Sequence, residues 1–206
     1  MASEITHHTD WANACNLKLN ATKTQEIVFC RRNCKLPLST LNIERVSSIK
    51  ILGVIVDDKL KFQDHINSVV SNTSQCYFAL RTLKHHGMTN TCLQNIFRAT
   101  VVPKMLYAIP SFWGFLTQAQ RNQMQSVLNR AIKLNYYTED DPTVEQFVNK
   151  QESDLYRKIT DNPQHILHYL LPTKHKQQHD LRKERVFSLP DKDERQLVNR
   201  LLYKNL

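Results

Sequence analysis

The chain has 206 residues, a formal charge of +9, and 41% hydrophobic against 23% charged residues, which suits one ordinary core or one core with a small appendage. Its positive field favours phosphate backbones or acidic partners and disfavours other cations, although many basic proteins bind no nucleic acid. The glycines number three, Gly53, Gly87 and Gly114, too scattered for the phosphate loops of P-loop or dinucleotide sites or for a G-x-S-x-G nucleophile elbow.

In chain order, Ile5, Trp11 and Ala14 or Cys15 recur at roughly helical spacing, so residues 3 to 16 read as a short helix with Ser3 as N-cap. Leu17 and Leu19 then alternate with polar residues, and Ile27, Val28 and Phe29 sit in a β-forming run from Glu26 to Arg32. Alternation returns at Leu41, Ile43, Val46, Ile49, Ile51, Val54 and Val56. It predicts a small antiparallel sheet over residues 26 to 57, with Gly53 as a bulge or a close backbone approach.

After Phe62 the period lengthens: Ile66, Val69, Val70, Thr73, Cys76, Tyr77, Leu80 and Leu83 predict an amphipathic helix ending near Gly87. A second helix is expected from Thr89 through Leu106, kinked at Pro103 and ended by Pro110. Thr117 opens a third, with Met124, Val127, Leu128, Ala131, Ile132 and Leu134 on its stripe. The acidic loop TEDDPT stops it, and shorter helices are expected at 144–149, 152–160 and 163–170. The tail from Pro172 is polar and charged until RQLVNRLLY, which again reads as a helix. The fold class is therefore α+β, predominantly α, with a small antiparallel sheet near the N-terminus followed by a helical bundle. Residues 1–62, 63–171 and 172–206 are its expected divisions.

Cys15, Cys30, Cys34, Cys76 and Cys92 lack paired C-x-x-C spacing, and MASEITHHTD has no apolar stretch, so the expected setting is reduced, nuclear or cytoplasmic, and not secreted. No window reaches the apolar length of a membrane span.

Five segments in order, W..ACNLKLNATKTQEIVF, RVSSIKILGVIVDDKLKFQDHI, ALRTLKHHG, VVPKMLYAIPSFWG and VLNRAIKL, resemble the reverse transcriptase of a non-LTR retrotransposon of the Jockey or CR1 kind. The resemblance runs from just after that enzyme's catalytic strand to its C-terminus, where HDLRKERVFSLP and NRLLYKNL are also similar. In that family the metal-binding aspartates lie in an F/Y-x-D-D turn upstream of the tryptophan matched by Trp11, and MASEITHHTD contains no such turn. The expectation is a truncated fragment without catalytic residues, metal or cofactor, not an enzyme as encoded, that binds at most an RNA/DNA template-primer weakly.

Asp57 and Asp58 have the look of a strand-end metal pair, yet the resemblance places them in a hairpin segment after the active site. Two-metal phosphoryl transfer also needs carboxylates from separate strands. A solvated turn, with Asp64 capping the helix at Ile66, is the plainer reading. Tyr137, Asp140 and Asp141 in YYTEDD carry one residue too many for the polymerase turn.

The resemblance carries three pieces of machinery over. Lys23 matches a lysine near the leaving pyrophosphate, where a cation can offset charge or donate a proton; a solvated turn lysine is the plainer role. Leu52 and Gly53 match the hairpin that supports the primer strand, and a simple strand bulge fits them equally. The helices from Asp64 onward match the thumb, which grips duplex phosphates. Arg81, Lys84, His85 and His86 suit such contacts, and they also suit a helix C-terminus through the macrodipole.

Cys30 and Cys34 are conceivable zinc ligands but more simply free core thiols, and His175 and His179 lie in a basic stretch that reads as solvated or as a nuclear-import signal. His8 and Asp10 form an H-x-D, but the iron site it begins needs a distal histidine and a jelly roll, for which the sequence is too helical. The W..ACNLKLNATKT segment also resembles a short module attributed to the N-terminus of AlkB-type tRNA-modifying proteins, which we read as a transfer between retroelement remnants. Two alternatives stand beside the remnant: a helical protein-interaction fragment, with Ile27, Phe29, Ile51 and Ile55 as its apolar patch, and a mis-cut gene model of an active RNA-directed DNA polymerase. The sequence sets no oligomeric state.

Overall fold

The computed structural model describes residues 2–30, 35, 43–173, 187 and 189–204. The chain divides into two compact units, Met1–Phe62 and Gln63–Leu206, and its architecture is α+β with helix predominant.

In the first unit, α1 spans Ala2–Ala14, so Ser3 lies inside the first turn and is not the N-cap. The helix ends where Asn16 takes φ 54° and Leu17 N–H returns to the Ala12 carbonyl at 2.8 Å, a left-handed cap that asparagine tolerates. Asn20 then organises a 3-10 turn over Ala21–Lys23, its side-chain oxygen accepting from the Thr22 amide and hydroxyl.

The antiparallel sheet expected over 26 to 57 forms in its second part, residues 48–57, while the first part pairs differently. Strand β1, Gln25–Glu26, pairs in parallel with β2, Glu44–Arg45, while β3, Ser48–Ile51, and β4, Val54–Asp57, form a separate antiparallel hairpin. A long connection separates β1 from β2, which parallel pairing requires, whereas β3 and β4 are joined by a loop of the two residues Leu52 and Gly53. Glu26 accepts from Arg45 Nε at 2.8 Å, holding the parallel pair by an ion pair as well as by its ladder. Leu41 and Cys34 fall outside the described residues. Cys30, expected as a free thiol, is disulfide-bonded.

In the second unit, α2 runs Gln63–His85 and buries Ile66, Thr73, Tyr77 and Leu80 along one face. Asp64 lies within its first turn, so it complements the dipole and does not cap the helix. Gly87 at φ 85° closes the helix as a Schellman motif, Gly87 N–H bonding the Lys84 carbonyl and Met88 N–H the Leu83 carbonyl.

The predicted second helix is broken into α3, Asn90–Ile96, a π-helical turn at Phe97–Val101, and α4, Val102–Met105. Pro103 offers no N–H to the preceding turn and crowds it, and the wider π turn lies directly before it. Ala108 at φ 54° reverses the chain, so Pro110 falls in the first turn of α5, Ile109–Phe112, and starts that helix instead of ending the previous one.

Helix α6, Gln118–Lys133, and α7, Val144–Asp161, each begin with a full capping box, Thr117 with Gln120 and Thr143 with Gln146. Helix α7 is continuous where two short helices were expected, and the helix expected at 163–170 is a 3-10 turn at His168–Leu170. Helix α8 spans Leu197–Lys204. Around the core, α2 packs on α3, α4 and α6, and α7 packs on α5, α6 and α8. The tail residues His175 and His179 lie outside the described residues.

Candidate nucleic-acid interface

The aspartates at the exit of β4 have a structural task. Asp57 accepts from the amides of Lys59 at 2.8 Å, Lys61 at 3.0 and 3.2 Å, and Phe62 at 2.9 Å, so both carboxylate oxygens face the backbone of the following loop. That loop twice enters left-handed space, at Leu60 with φ 54° and Phe62 with φ 55°. Partial burial raises the Asp57 pKa, but the amides of Lys61, Lys59 and Phe62 together outweigh it and hold the group below its ordinary value. It is a loop staple and not a solvated turn residue.

The second acidic run behaves similarly. Arg98 reaches Asp141 through two parallel bonds of 2.9 and 2.8 Å, and Asp141 also accepts from the Thr138 amide and hydroxyl. The Arg98 guanidinium first, then Thr138, draws the Asp141 pKa down to about 2 against the burial that raises it. Among the described residues no group of three or more His, Cys, Asp or Glu converges as a metal site.

The remaining candidates fall in separate places. Lys23 lies exposed on the 3-10 turn before β1, and Leu52 and Gly53 form the tip of the β3–β4 hairpin. Leu52 is 85% exposed at φ 47° and Gly53 has φ 92°, so the expected bulge is instead a two-residue turn with both residues left-handed. A leucine in that conformation is strained. No hydrogen bond among the described residues joins Lys23 to this tip.

Arg81 and Lys84 lie exposed near the C-terminus of α2, beside His85 and His86, whose rings meet edge to face at 5.9 Å. Tertiary structure adds a cation that the sequence reading missed. Arg130, in the last turn of α6, stands with its guanidinium 5.0 Å from the centre of the Tyr77 ring, while the Lys84 ammonium stands 5.9 Å from the Tyr136 ring. The two rings stack at 6.3 Å, so Lys84 and Arg130 converge on one aromatic pair.

The local causes are clear. Tyr77 is on the buried stripe of α2 and donates its hydroxyl to the Val127 carbonyl of α6; burial pushes that hydroxyl up to about 12 against the nearby Arg130 cation, keeping it neutral. Asn135 at φ 61° closes α6, and Tyr136 N–H returns to the Ala131 carbonyl at 2.9 Å, which turns the Tyr136 ring back toward α2. Neither Arg81, Lys84 nor Arg130 forms an ion pair among the described residues. Cation–π contact orients a charge without neutralising it, so these groups keep their attraction for anions. One signal in the sequence points the same way: no Asp or Glu occurs between Asp64 and Glu139.

The chain is similar to three curated Drosophila melanogaster proteins. It is 23% identical over 128 residues to the RNA-directed DNA polymerase from mobile element jockey, covering 60% of this chain and 14% of that protein. It is 26% identical over 133 residues to the probable RNA-directed DNA polymerase from transposon BS, again covering 60% and 14%. For the probable RNA-directed DNA polymerase from transposon X-element the identity is 20% over 133 residues, covering 61% and 14%. The chain thus spans about one seventh of the length of the curated relatives it matches. No family profile matches the chain. No solved structure matches it either.

Proposed function

We propose that this chain is the stretch of a non-LTR retrotransposon reverse transcriptase that follows the catalytic turn, with its helical unit in the position of the thumb. Its role is to hold a template–primer through backbone phosphates, and it carries no phosphoryl-transfer site of its own. The convergence of Lys84 and Arg130 beside Arg81, in a segment without acidic residues, carries this reading. In the first unit the exposed tip at Leu52 and Gly53 supports a primer strand, and Lys23 is a cation without a reaction to assist. Asp57 supports the inactive reading, since its oxygens are already occupied by three amides.

The test is a salt titration of the purified chain against an RNA–DNA hybrid. Each phosphate contact contributes about −0.9 to the slope of log affinity against log salt. Changing Arg81, Lys84 and Arg130 together to Ala is expected to flatten the slope by about 2 to 3 and to weaken binding uniformly across sequences. Absence of wild-type binding at low salt overturns the proposal.

A second reading rests on the first unit, where Phe29, Ile51 and Leu52 are exposed, as are Trp11, Leu17 and Leu19. Ile27 and Ile55 are partly covered, so the expected patch is open only in part. Such apolar exposure fits a surface that another polypeptide covers.

A further inference from the structure

We propose that Phe78 is a stacking platform for an unpaired nucleic-acid base, with Arg81 taking the phosphate beside it. This rests on the nucleic-acid reading above and deepens it, naming a single strand as what this face of α2 holds. The buried stripe of α2 uses Ile66, Thr73, Tyr77 and Leu80, which leaves Ser71, Ser74, Gln75, Phe78, Arg81, Thr82 and His85 exposed. Phe78 is the large apolar side chain on that face, and it is 75% exposed.

Its neighbours one turn away leave the ring open. The Thr82 hydroxyl donates to the Phe78 carbonyl at 3.1 Å and the Ser74 hydroxyl to the Val70 carbonyl at 3.0 Å, so both fold back on their own helix. The ring makes no aromatic contact among the described residues. Arg81 follows Phe78 by three residues, so helical geometry places it one turn along and beside the ring. Lys84, six residues on, lies about a third of a turn round the helix, on the side where its ammonium meets the Tyr136 ring. No acidic residue of α2 after Asp64, and none of α3, α4 or α6, repels a phosphate there. An open aromatic ring beside an uncompensated cation is the arrangement by which proteins hold single strands without reading sequence, whereas a paired duplex offers no free base face along its length.

The experiment is fluorescence anisotropy at low salt, with a single-stranded oligothymidylate and a blunt hybrid duplex as probes. Phe78→Ala is expected to weaken single-strand binding about 5- to 100-fold and to leave duplex binding within about 2-fold. Phe78→Trp is expected to restore affinity, with indole emission quenched on binding beyond the change that wild type shows from Trp11 and Trp113. Circular dichroism checks that both variants fold. If Phe78→Ala keeps single-strand affinity, or loses it equally for both probes, the stacking role falls while the phosphate grip survives. If wild type binds neither probe, both fall.

Discussion

The Asp57 side chain contributes by holding a loop whose backbone enters left-handed space twice, at Leu60 and Phe62. Removing it takes an acceptor from one half-buried amide and two exposed ones that water can meet, so Asp57→Ala is expected to cost about 1 kcal/mol in urea unfolding. Asp58, whose amide alone is tied down, through the Ser47 carbonyl, is expected to change stability by less than about 0.5 kcal/mol as Asp58→Ala. A polymerase carboxylate pair shows the opposite pattern, with activity lost and stability kept. Asp141 gives a pH signature. Its folded pKa of about 2 lies below the ordinary 3.8, so its stabilisation is fully present above the unfolded value. As pH falls from about 4 through about 2 the stabilisation is lost. The contribution is about 1 to 2 kcal/mol once solvent screening at the exposed edge of Arg98 is counted. Asp141→Asn is expected to remove that share of the acid sensitivity, read from urea midpoints at pH 7 and pH 3.

At the scale of elements, stop signals decide where side chains land. Gly87 meets no atom within 4 Å of an added Cβ, so Gly87→Ala tests the left-handed conformation alone. It is expected to cost about 1 kcal/mol in thermal or urea unfolding, with the core unchanged. The Asn135 cap does more, since it returns Tyr136 to the Tyr77 ring that Arg130 covers. Pro103 and Pro110 were both legible as disruptors, and their effects differ by position. Pro103 has a helical turn before it and is met by a π turn; Pro110 follows the reversal at Ala108 and begins a helix.

At the scale of the whole helical unit, a buried ionic cluster fixes the C-terminal helix. Glu152 is 0% exposed; Arg200 Nε donates to its Oε1 at 2.6 Å and Lys204 to its Oε2. The same guanidinium donates to the Pro110 carbonyl at 2.7 Å and the Glu194 carbonyl at 2.8 Å, linking α5, α7 and α8. Gly114 leaves the room for this, because a Cβ there runs into the Glu194 carbonyl and Arg200. Glu152→Ala leaves a buried guanidinium without its carboxylate and is expected to cost about 3 to 5 kcal/mol, whereas Glu152→Leu combined with Arg200→Leu recovers part of the loss. Denaturant unfolding of Glu152→Ala and of the four-member Glu152→Leu, Arg200→Leu cycle measures both.

Periodicity and caps in the sequence determined the helical stretches, the end of α2 at Gly87, and the start of α6 at Thr117, because those signals act over a few neighbouring residues. The resemblance to retroelement polymerases was legible for the same kind of reason, as a series of local motifs in order. The pairing of β1 with β2 and the joining of two predicted helices into α7 were not, since strand partners and helix continuity depend on contacts from distant segments. The candidate interface divides in the same way. Arg81 and Lys84 could be read from one helix end, but Arg130 joined them only when α6 packed on α2 and set its guanidinium over Tyr77. Asp57 looked like a metal ligand or a solvated turn until the loop folded back and filled its oxygens with amides. A sequence displays which charges a chain owns; the packed chain decides which are already spent on its own backbone and which remain to meet a partner.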